Sequence, residues 1–128
     1  MNEENNRKIF TWLNPEKCYH DWKREGLIWV CSACGVSGSN RVGNPNYTSD
    51  RGFFLLLAGL REKDLHWEGG SHGMVNDGTN VWRPTGYWAK VWREDDGGNQ
   101  VEPQDKSADS LPEALANAVL KLIEQEGK

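Results

Sequence analysis

Read by the spacing of its apolar positions, the chain has helical ends and a strand-rich middle. Residues 4 to 13 gather Ile9, Phe10, Trp12 and Leu13 toward the end of a short helix, and Asn14-Pro15 closes it because proline disfavours helix in the residue before it. Leu27-Ile28-Trp29-Val30 is an apolar run of strand type that leads into Cys31. Residues 37 to 49 are dense in glycine, serine, asparagine and proline, which predicts an irregular connection. Ser49 or Asp50 can cap the next helix. The run from Phe53 to Lys63 predicts the main buried helix, with Phe53, Phe54, Leu57 and Leu60 inward; a strand competes for so apolar a run, but its length favours helix.

Between 68 and 80 lie Gly69, Gly70, Gly73 and Gly78, and Asn76-Asp77-Gly78 is a hairpin-turn signal. Trp82 precedes a break at Arg83-Pro84. From Tyr87 to Arg93 the alternation returns, placing Tyr87, Ala89 and Val91 on one face and Trp88, Lys90 and Trp92 on the other. Asp95-Asp96-Gly97-Gly98-Asn99-Gln100 then turns the chain toward a strand around Val101. Ser110-Leu111-Pro112-Glu113 fits a capping box with proline in the first turn. Leu111, Leu115, Val119, Leu122 and Ile123 make an apolar stripe, which sets a helix over 110–126. Together these elements predict one α+β domain over 1–128, a small antiparallel sheet from the 70–102 region packed by two to three helices.

Composition sharpens this picture. A chain of 128 residues is long enough for one core, but 37% hydrophobic residues and a mean hydropathy of -0.77 leave little apolar area to spare. Seven tryptophans offset part of that shortfall, since each buries a large surface. The net charge of -4 disfavours nonspecific coating of nucleic acid, which depends on many cationic contacts. No apolar run is long enough to cross a bilayer, and Met1-Asn2-Glu3-Glu4 is acidic where a secretion signal is basic, so a cytoplasmic protein without membrane contact is expected.

All three cysteines fall in one pattern: Cys18, His20, Cys31 and Cys34, with Gly35 following. Residues two apart in an extended chain share a side, so Cys18 and His20 can present a thiolate and an imidazole together. Cys31-Ser32-Ala33-Cys34-Gly35 offers two more sulfurs from one tight turn. Four such donors suit tetrahedral Zn2+, which makes 16–36 an N-terminal zinc-binding hairpin flanked by Trp22 and Trp29. An odd cysteine count argues against a disulfide framework, and a loop, rather than a helix, after Cys34 argues against redox chemistry. His66 or His72 is the alternative fourth ligand, each distant in sequence.

Five segments stand out together: the helix ending in Trp12-Leu13, Cys18-Tyr19-His20-Asp21-Trp22, Cys31-Ser32-Ala33-Cys34, Asn44-Pro45-Asn46-Tyr47-Thr48-Ser49 before a helix, and Leu111-Pro112-Glu113-Ala114-Leu115. In these segments the chain resembles a family of phage and prophage proteins described as a phage α-β-α sandwich domain. The resemblance covers most of the length. It implies a phage-derived protein acting in the bacterial host cytoplasm, with helices on a small sheet, and it implies no assigned activity.

Other candidate chemistry is thinner. His66 and His72, with Asp64, Glu68 and Asp77, read as a polar turn more readily than as an acid–base site, because no nucleophile-plus-base spacing accompanies them. Gly69-Gly70-Ser71-His72-Gly73 lacks the lysine of a phosphate loop. Glu94-Asp95-Asp96 is a solvated turn without calcium-loop spacing. Trp88, Lys90 and Trp92 form a candidate partner-binding surface, although core packing explains the same tryptophans. The expectation is therefore a binding module with a structural zinc and no catalytic residues. Its partner is a protein, a host factor in the phage setting. A module binding single strands is the first alternative, and an enzyme with an open zinc position the second.

Overall fold

Three helices and eight strands follow one another among the described residues of the computed structural model, which are 3–39, 43–76, 78 and 81–126. Helix α1 (Glu3–Leu13) starts with two acidic residues, which complement the positive helix N-terminus. It is followed by β1 (Trp22–Glu25), β2 (Ile28–Cys31) and the short β3 (Ser37–Gly38), paired antiparallel in that order. Helix α2 (Asp50–Glu62) is capped by Ser49, whose hydroxyl accepts from the Gly52 amide at 3.1 Å. It ends in a Schellman closure: Leu65 donates to the Leu60 carbonyl, Asp64 donates to that of Arg61, and Asp64 itself takes φ 56°.

The central sheet is β4 (His66–Ser71), β7 (Tyr87–Glu94) and β8 (Gln100–Ala108), antiparallel, with β7 in the middle. The two-stranded β5 (Met74–Asn76) and β6 (Trp82–Pro84) extend β4 and β7 as a hairpin arm. Between the two ladders His72 donates to Gly86 and Thr85 to Gly73. The register between β7 and β8 shifts between Val91 and Arg93. Opposite that shift Glu102 has φ 43°, as a bulge requires.

Helix α3 (Leu111–Glu126) starts at Ser110, whose hydroxyl accepts from the Glu113 amide at 3.3 Å. It lies across β7 and β8, and both other helices pack against it. Its buried residues are Ala114, Leu115, Ala116, Ala118, Val119 and Leu122, an arc wider than one amphipathic stripe. A helix buried over that much of its girth is an inner layer. Alanines on two flanks let the sheet and the helices approach closely. With Ile9, Tyr47, Leu56, Leu60, Leu65, Ala89 and Val91 these residues make the core.

The α+β class and antiparallel pairing match the sequence reading, with three helices and three small sheets. The boundaries do not. Strand pairing spans 66–108 rather than 70–102, because His66, Trp67, Glu68, Gly69 and Gly70 form a strand where their composition suggests a polar turn. Gly69 is where α3 approaches β4: a Cβ there would lie 2.7 Å from Leu111 Cδ1. On α2 the inward residues are Leu56 and Leu60, while Phe54 is 68% exposed. In the turn Asn76-Asp77-Gly78 the Asn76 carboxamide accepts from the Gly78 amide at 2.8 Å, but Asp77 lies outside the described residues.

Candidate metal centre

Cys18 and His20 lie on an irregular stretch just before β1, Cys31 is the last residue of β2, and Cys34 closes the turn that follows. Tyr19 points away between the first two, 7% exposed, with its ring 5.5 Å from Phe10 and the Arg7 guanidinium 5.0 Å over it. That alternation is what an extended chain gives, although no strand ladder is present there. The turn is closed by Gly35 donating to the Cys31 carbonyl and Cys31 donating to that of Val36. Gly35 takes φ 80°, which a side chain would resist.

The four donor atoms all lie within 4.8 Å of one another. Cys18 Sγ is 3.7 Å from Cys31 Sγ, and Cys34 Sγ is 3.5 Å from His20 Nδ1. Tetrahedral zinc with sulfurs at about 2.3 Å and nitrogen at about 2.0 Å sets those edges at about 3.8 Å and about 3.5 Å. The spacing and the donor set therefore both fit a four-coordinate metal ion.

Electrostatics prepare the set unevenly. Burial alone would raise the Cys31 thiol, but hydrogen bonds from His20 and from the amides of Cys34, Asp21 and Ala33 outweigh it and bring it down to about 5. The Asp21 amide is 3.4 Å from the sulfur. Cys18 is pushed up to about 11, first by burial and then by the neighbouring thiols of Cys34 and Cys31. One anionic sulfur thus suppresses ionisation of the next, and a divalent cation relieves that repulsion.

Asn44 braces the His20 backbone. Its carboxamide accepts from the His20 amide at 3.1 Å and donates to the His20 carbonyl at 2.6 Å, as a paired strand would. The same loop reaches the helices, where the Tyr47 amide donates to the buried Asn6 carboxamide at 3.1 Å. The His20 and Trp22 rings are 4.8 Å apart. Trp29 is half-buried on β2, opposite Gly38. Asn44 escaped the sequence reading as a supporting residue: turn composition marks its loop but not a side chain that clamps a peptide 24 residues away.

His66 and His72 lie apart from this cluster. His66 stacks on Trp92 at 6.0 Å and pairs with Glu94 at 3.6 Å, and His72 shares a 3.0 Å hydrogen bond with Ser107. On β7 the ladder sets Trp88 between Gly70 and Ser107, Lys90 between Glu68 and Asp105, and Trp92 opposite His66. Trp92 is 9% exposed, while Trp88 and Lys90 are half-buried, so the three share a face without forming an open aromatic platform. Asp95 accepts from the Gly97 and Asn99 amides, which hold its carboxyl below the usual range and close the acidic turn. No family model, curated protein or solved structure matches the chain. None of the helices among the described residues is long and apolar enough to cross a membrane.

Proposed function

We propose that the protein is a small interaction module whose N-terminal hairpin is held by a structural zinc ion on Cys18, His20, Cys31 and Cys34. The observation that carries this reading is the convergence of three sulfurs and one imidazole, drawn from both ends of a hairpin, to within 4.8 Å of one another. Four protein donors fill a zinc shell, so the ion would act by cross-linking the chain rather than by activating water. Function then rests on a surface recognising a protein, and the phage resemblance suggests a host factor met in the bacterial cytoplasm. The nucleic-acid reading is weaker. Lys90, the cation among Trp88, Lys90 and Trp92, is bracketed in register by Glu68 and Asp105, and the net charge is -4.

Metal analysis tests the reading. One zinc per chain is expected after purification without chelator. Cys31→Ser should lose that zinc and lower the thermal midpoint by roughly 10 °C or more, since structural zinc contributes directly to folding. A chain that carries no zinc, or a Cys31→Ser variant that melts like the parent, would falsify it.

A further inference from the structure

Helices α1 and α2 both rest on α3, and they close on each other at Gly59, where a Cβ would lie 2.4 Å from Leu13 Cδ2. Beside that contact the surface opens into a recess of about 270 Å³ walled by Phe10, Leu13, Pro45, Leu55 and Ala58. Tyr47, 1% exposed, is the most buried residue of its lining. The Tyr47 amide is taken by Asn6, but the hydroxyl has no hydrogen-bond partner among the described residues. Nor is it sealed, since Trp92 Nε1 is the one fully enclosed side-chain polar atom among them without a partner. The phenol therefore meets the outside where Tyr47 lines the recess. Burial, and then the neighbouring Tyr19, push it up to about 12, so at neutral pH it is a donor.

A buried hydroxyl costs free energy while it is unpaired, and the acceptor it needs has to come through the recess. The walls set the rest of the guest. Five apolar side chains favour an apolar body. An apolar cavity of about 150 Å³ admits benzene, so about 270 Å³ holds one ring with a short substituent. A charged group at the Tyr47 end would give up its water for one neutral hydrogen bond. Lys17 and Glu62, both exposed, bring one charge of each sign to the rim. We propose that this recess is a binding site for a small neutral molecule with a single apolar ring and one carbonyl oxygen, which accepts from the Tyr47 hydroxyl. None of the four metal donors lines it, so the site goes beyond the metal reading.

Nuclear magnetic resonance titration with acetophenone tests the site, and α-methylstyrene, which carries a methylene in place of the ketone oxygen, is the control. In the parent chain the Ala58 and Gly59 amides should shift saturably with acetophenone. Tyr47→Phe keeps the ring and removes a hydroxyl that no described residue uses, so its thermal midpoint should match the parent's. Acetophenone should bind this variant about tenfold more weakly than the parent, and α-methylstyrene should bind it no more weakly. A flat acetophenone titration, an acetophenone affinity unchanged in Tyr47→Phe, or an equal loss for both compounds overturns the site. A lower midpoint in Tyr47→Phe overturns it too, because the hydroxyl would then serve the fold.

Discussion

Asn44 holds His20 by both sides of its backbone, which sets the point from which the imidazole reaches the other three donors. Outer partners of this sort typically change metal affinity by about 10–100-fold. Asn44→Ala should therefore bind zinc more weakly by about that factor, read by competition with a chromophoric chelator. Its cobalt-loaded form should keep thiolate-to-metal charge-transfer absorption, because all four donors remain. Asn44→Asp should fare no better, since it places a carboxylate oxygen against the His20 carbonyl where the carboxamide donates. Wild-type affinity in Asn44→Ala would show that the hairpin orders His20 unaided. The donors themselves are legible in the sequence, where Cys18, His20, Cys31 and Cys34 stand at ligand spacing. Asn44 is not, because a side chain that mimics a strand partner leaves no periodic trace.

At the scale of elements, α2 shows how an apolar run can conceal which way it faces. Phe53 through Leu57 are all apolar, so composition gives no phase, and an inner face of Phe53, Phe54, Leu57 and Leu60 fits the pattern equally well. Packing selects a phase centred on Leu56 and Leu60, both within 1% of full burial, and leaves Phe54 in solvent. Leu56→Ala should cost about 2–5 kcal/mol in chemical denaturation, whereas Phe54→Ala should stay within about 0.5 kcal/mol. The reverse order would mean that the helix is turned the other way. The ends of the chain are easier to read. Ser110-Leu111-Pro112-Glu113 marks a helix start by local chemistry alone, and Ser49 does the same for α2. Strand β4 is harder, because Gly69-Gly70 reads as a break, and β8, which carries Pro103, runs to Ala108, well past the strand expected around Val101. Gly69 is small so that Leu111 can approach, and β8 is an edge strand, where a proline costs no ladder bond on its open side.

Across the whole molecule, three layers meet at the last turn of α3. Glu126 accepts from the Trp12 indole of α1 at 2.8 Å and from the Arg93 guanidinium of β7, and Lys63, just past α2, lies 4.8 Å over the Trp12 ring. Burial alone would raise the Glu126 carboxyl, but the hydrogen bonds from Arg93 and Trp12 and the charges of Arg93 and Lys63 hold it below the usual range. A carboxyl depressed in the folded state adds stability that is fully present above its unfolded value near 4.5, and that is lost as pH falls through the lower folded value. Both partners are partly exposed, so screening keeps the contribution to about 0.5–1 kcal/mol. Glu126→Gln should be less stable than the parent by that amount at neutral pH, and the gap should close on acidification below about pH 4. Glutamine still accepts from Trp12, so the part that vanishes belongs to the Arg93 charge. Parallel stability curves from about pH 7 to about pH 3 would mean that the tie between α1, β7 and α3 is one of packing, with Glu126 a solvated end.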